Sequence, residues 1–150
     1  MTIALLLHFL SVVVWVGGMF FAYMALRPVA ASVLEPPQRL TLWAGVFGRF
    51  FPWVGLSIAL ILLSGIYMLM LLGGASAPLY VLIMLVFGVA MMLIFGHVFF
   101  GPYKKLKRAV AQQAWKDGGG ALGQIRMLIG LNLSIGLLTI AVAILGRMFL

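Results

Sequence analysis

The chain has 150 residues, of which 65% are hydrophobic and 8% charged, with a formal net charge of +8 and no cysteine. A water-soluble domain carries roughly 45–50% apolar and about 25% charged residues, so this composition excludes an ordinary soluble fold. The missing cysteine excludes disulfides, thiolate-bound zinc, iron–sulfur clusters and a thiol nucleophile. A positive balance would suggest nucleic acid in a soluble chain. Here the basic residues flank long apolar runs, so they read as topology signals and headgroup contacts, and no nucleic-acid partner is expected.

No charge occurs in residues 1–26, between Arg49 and Lys104, or between Arg126 and Arg147. A helix needs about 20 apolar residues to cross a hydrocarbon core of about 30 Å. The first and last stretches each hold one span. The middle stretch holds two, separated at Gly73-Gly74-Ala75-Ser76-Ala77-Pro78. The spacing predicts spans over 3–26, 51–72, 79–101 and 122–147, in a single domain of residues 1–150. The first run has no Lys or Arg ahead of it and is too long for a cleavable signal peptide. Arg27-Pro28 is expected to end the first span. Glu35-Pro36-Pro37 should start a short interfacial helix bearing Leu40, Trp43, Val46 and Phe47, because proline is tolerated in a first turn. Pro52 falls near the start of the second span or kinks it. Pro102 marks the exit of the third, and Tyr103–Lys116 keeps helical spacing. Gly118-Gly119-Gly120 is expected to stop that helix. The fold expected is all-α: an up-down bundle of four transmembrane helices.

Orientation follows from charge. One connection, 27–50, carries Arg27, Arg39 and Arg49 against Glu35. The other, 102–121 with its flank, carries Lys104, Lys105, Lys107, Arg108, Lys116 and Arg126 against Asp117. Basic connections stay in the cytoplasm, so both termini and the 73–78 turn are expected in the periplasm of a bacterial inner membrane.

No Asp or Glu lies inside a span, which argues against a proton-driven transporter and against paired-carboxylate or Ser-His-Asp catalysis. The candidates for chemistry are His8 and His97, since an intramembrane imidazole is a functional hypothesis by default. They fall at depths roughly 15–20 Å apart, so one metal ion does not bridge them within a monomer. At the His8 level Met68 and Met84 are expected nearby, with Met70 and Met148 at similar depth and Trp15 and Met19 on the same helix face. Imidazole with thioether is a soft set that suits Cu(I). Simple packing by pliable methionines is the competing reading. At the His97 level Arg27, Arg49 and Arg126 are expected, with Asn132 deeper. Guanidinium groups pair well with carboxylates, so His97, Arg49, Arg126 and Asn132 suggest a porphyrin or an anionic headgroup. Basic anchoring around a structural histidine competes with that. Gly17-Gly18, Gly88, Gly130 and Gly136 read as close-packing positions between helices.

Leu7-His8-Phe9 through Trp15-Val16-Gly17-Gly18-Met19-Phe20, then Leu26-Arg27-Pro28, resembles the first helix of the CopD copper-resistance membrane family. Arg49-Phe50-Phe51 and Leu63-Ser64-Gly65 are similar to that family's next helix. Residues 91–108 and Gln124-Ile125-Arg126 through Asn132-Leu133 resemble its small stand-alone members. The resemblance implies copper handling at the inner membrane, with His8 as the first ligand. The same first-helix pattern is similar to HemJ, a haem-containing protoporphyrinogen oxidase, in which His8 would hold haem b. That alternative departs from the chain: residues 79–101 lack the Lys, and 118–133 lack the Asn-Glu-Pro stretch, that HemJ carries. The expectations are therefore a copper-binding or copper-moving protein, or a haem-dependent membrane oxidoreductase, with a cofactor-free subunit as a third possibility. The partners expected are the lipid bilayer, a copper ion or porphyrin, and a second copy in a homo-oligomer.

Overall fold

The computed structural model describes residues 1–149, and all its regular structure is helical. Helix α1 runs over Thr2–Val33 and α2 over Pro36–Leu71. Helix α3 covers Leu79–Phe100, α4 Pro102–Ala111 and α5 Trp115–Phe149. Four segments are long and apolar enough to cross a membrane: α1, α2, α3 running on into α4, and α5. Their outward faces carry leucine, valine, isoleucine and phenylalanine side chains such as Ile3, Val13, Leu63, Val86, Leu93 and Ile144, all exposed. Such a surface is stable against lipid tails and not against water.

The helix boundaries depart from the sequence expectation in three places, each for a local reason. Arg27-Pro28 does not end the first helix. The chain widens into a π-turn over Ala22–Leu26, with the Arg27 N–H bonded to the Ala22 carbonyl, and continues to Val33. Proline lacks the N–H that an α-helix needs and its ring crowds the preceding turn; one wide turn absorbs both defects. Nor is there a separate interfacial helix at residue 36. Pro36 and Pro37 occupy the first turn of α2, and the helix runs unbroken past Pro52 to Leu71. The Gly118-Gly119-Gly120 run lies inside α5 and does not stop it. The break comes earlier, at Gln112–Ala114, where Gln113 takes a left-handed φ of 53°. Tertiary contact packs the first of the three glycines: a Cβ on Gly118 would stand 3.1 Å from Leu40 Cδ1 and 3.3 Å from Ala109 Cβ.

Helix α1 packs antiparallel to α2, and α3 with α4 packs against α5. Gly18 admits the Phe50 ring between α1 and α2, in van der Waals overlap with any side chain placed there. An aromatic column joins the two pairs. Trp43 meets Phe47 (5.1 Å between centroids), Phe47 stacks on Phe51 (5.0 Å), and Phe51 meets Tyr103 (4.8 Å) and Phe95 (5.3 Å) edge-on. Trp15 closes it against Phe95. On α4, Pro102, Tyr103, Leu106 and Ala109 are buried, while Lys104, Lys105, Lys107 and Arg108 are exposed. This amphipathic helix is seated on the bundle and shows its charges to the surroundings.

Candidate functional site

The buried stripe of α1 is Ser11, Trp15, Val16, Met19 and Ala22. His8 stands one turn ahead of Ser11 on the same stripe, so its ring is directed at α2 rather than at lipid. Its Nδ1 lies 3.0 Å from Ser64 Oγ. The Ser64 hydroxyl has one proton, and it donates that proton to the Leu60 carbonyl of its own helix. The oxygen is therefore the acceptor toward the ring, and Nδ1–H is the donor. In the neutral imidazole this leaves Nε2 with a free lone pair. The next residue, Gly65, lies against the ring: a Cβ there would stand in ordinary contact, 3.4 Å from His8 Cε1. Ser64 thus orients His8 toward α2.

Met68 is half-buried one helical turn beyond Ser64, and Met84 is half-buried on α3. Met19 and Met91 are fully buried, and Met70 and Met148 are exposed. No three His, Asp or Glu side chains cluster among the described residues. Any metal carried here would have to draw on sulfur or backbone donors beside a single imidazole.

The four residues read as a second group stand in different surroundings. His97 is exposed on the outer face of α3. Asn132 is buried, its Nδ2 donating to the Met91 carbonyl at 3.3 Å. Arg49 lines a shallow groove on α2 with Leu34, Gln38, Thr41 and Gly45. Arg126 lines a different cavity, of about 310 Å³, together with Arg27 and Arg39. Tyr23, Trp43, Phe47 and Trp115 form its aromatic walls. The Arg27 guanidinium lies 4.2 Å from the centroid of the Tyr23 ring, and its Nε donates to the Tyr23 carbonyl at 3.2 Å. Some 19 residues of α1 separate His8 from Arg27, a rise of about 28 Å, so the histidine and the arginine cavity belong to opposite ends of the bundle.

Sequence reasoning missed Ser64 and Arg39 as site residues. Ser64 lies within the Leu63-Ser64-Gly65 motif, whose polar residue in an apolar span is the signal for a partner. Arg39 was expected on a short interfacial helix, and becomes directional because that segment is continuous with the second span in one helix, Pro36–Leu71.

Helices of this length, composition and outward apolarity make the chain a multi-pass integral membrane protein. Its residues 44–145 match the family model of CopD, copper resistance protein D. With about two thirds of its length matched, the chain belongs to the CopD family. The match includes Ser64, Gly65, His97, Arg126 and Asn132 and begins after α1, so His8, Trp15 and Arg27 stand outside it. No curated protein and no solved structure matches the chain.

Proposed function

We propose that this protein binds copper, or moves it, at a bacterial inner membrane, with His8 Nε2 as the leading ligand and Met68 and Met84 supplying thioether sulfur. The observation that carries the reading is the His8–Ser64 hydrogen bond. Metal-bound histidines characteristically donate their second ring N–H to a fixed partner, which orients the ring and raises its basicity. Ser64 supplies that partner here, and in the neutral ring a proton on Nδ1 leaves the Nε2 lone pair open to a metal. Thioether and neutral imidazole together favour Cu(I) over harder ions. The family's printed description, copper resistance, supports the same metal. Copper is the cargo in this reading, so moderate affinity is expected, and the termini with the 73–78 turn face the periplasm.

The test is Cu(I) titration of detergent-purified protein against a colorimetric chelator. His8→Ala is expected to abolish most of the binding. Ser64→Ala should weaken it by roughly tenfold, within the usual 10–100-fold effect of removing a ligand's hydrogen-bond partner. Met68→Leu and Met84→Leu should each weaken it less. His97→Ala should leave it unchanged. Full binding by the His8→Ala protein would overturn the reading.

A further inference from the structure

We infer that the cavity at the arginine end is a binding site for a phosphate-bearing anion, with an anionic phospholipid headgroup as its occupant. Three arginines from three different helices line it: the half-buried Arg27 of α1 and Arg39 of α2, and the exposed Arg126 of α5. No Asp or Glu is among its lining residues. Like charges around one cavity repel, and a bound anion between them reverses the sign of that term. The π-turn places Arg27 there, and Tyr23 holds it: the ring packs against the guanidinium and the backbone carbonyl takes Nε–H. The Nη groups remain to form the two-pronged bonds that arginine makes with phosphate oxygens.

The floor of the cavity gives a second, independent argument. Gly119 and Gly123 line it one helical turn apart on α5. A Cβ on either would meet nothing within 4 Å. Glycine is a poor helix residue, and neither position is needed for close helix contact. Gly118 and Gly130 of the same helix differ: a Cβ there would press on Leu40 and Ala109, or on Tyr23. The cavity-facing pair keeps volume open. The Trp43 and Trp115 walls suit a site at headgroup depth, where amphipathic aromatic rings concentrate. Basic pockets between helices at that depth are a recurring way of holding anionic lipid heads.

The test uses full-length protein in mild detergent, with native mass spectrometry after addition of phosphatidylglycerol, and melting temperature measured with phosphatidylglycerol or inorganic phosphate. Arg39→Gln with Arg126→Gln, and separately Gly123→Leu, should each cut retained phosphatidylglycerol about tenfold or more, the scale expected for lost charged hydrogen bonds. Gly123→Leu fills the floor without touching a charge, so it separates the cavity from general attraction. Circular dichroism should show its helix content intact. Lys104→Gln with Lys107→Gln removes the same charge outside the cavity and should leave retention unchanged. If inorganic phosphate raises the melting temperature of the parent but not of Gly123→Leu, while the lipid does not, the anion site stands and its source is free phosphate. Equal loss in the lysine control, or full retention in both cavity variants, would overturn the proposal.

Discussion

Asn132 bears the polar cost of the core. It is 3% exposed, donates through Nδ2 to the Met91 carbonyl, and its Oδ1 finds no partner among the described residues. Interhelical hydrogen bonds in membrane proteins average about 0.6 kcal/mol, and leucine keeps the branched heavy-atom skeleton of asparagine. Asn132→Leu is therefore expected to change stability by less than about 1 kcal/mol, measured by unfolding in mixed micelles. A loss of about 3 kcal/mol or more would show that the amide holds a partner on which the fold depends. At this scale the sequence was legible as to type and not as to pairing. His8 and Asn132 stand out as polar residues in apolar runs. That His8 meets Ser64 depends on the rotation of α1 about its axis relative to α2. The Gly18–Phe50 contact belongs to that interface, and no periodicity within a single helix encodes the rotation.

Among the elements, the helices themselves were readable because uncharged runs of about 20 residues have few other solutions. Their ends were not. Proline and glycine were weighed as local punctuation, but Pro28 is absorbed by the π-turn and Gly118 is held helical by Leu40 and Ala109. The true break falls at Gln113, whose composition gives no turn signal. A left-handed conformation costs a residue with a Cβ roughly 1–2 kcal/mol. Gln113→Gly should relieve part of that, stabilising the protein by about 0.5–1 kcal/mol in the same micelle assay. A destabilised variant would mean that the glutamine side chain itself contributes to the α4–α5 corner. The π-turn carries a functional consequence. Pro28→Ala restores an N–H, so the segment is free to close into an ordinary α-turn and swing Arg27 out of the cavity by up to about 100°. Retention of phosphatidylglycerol should then fall while copper binding at the other end stays the same.

For the whole molecule, length and charge act together. Helices of 32 and 36 residues rise about 48 and 54 Å, well beyond a hydrocarbon core of about 30 Å. The surplus turns hold Arg27, Arg39 and the amphipathic α4, which is why the connections between spans run on as helix. Nine of the ten Lys and Arg residues fall on these extensions and their flanks, and Arg147 is the tenth. Positive charge is retained on the cytoplasmic side during insertion, so that end should face the cytoplasm and His8 should face the periplasm. Fluorescent-protein fusions after Arg108 are expected to fluoresce, and alkaline phosphatase inserted within 73–77 to be active. Replacing Lys104, Lys105, Lys107 and Arg108 with glutamine weakens the bias, since it leaves five of the nine charges, and should give a mixed population by both reporters. The inverse pattern in the parent would leave the two sites geometrically intact and exchange their compartments. Copper would then be met from the cytoplasm, and the arginine cavity would draw its anion from the outer leaflet. Copper protection of a cysteine placed at position 4 or 5, labelled from outside intact cells, distinguishes the two arrangements. Position 5 lies within one turn of His8. Labelling from outside, slowed by Cu(I) in the parent but not in His8→Ala, is the outcome that joins the orientation to the function.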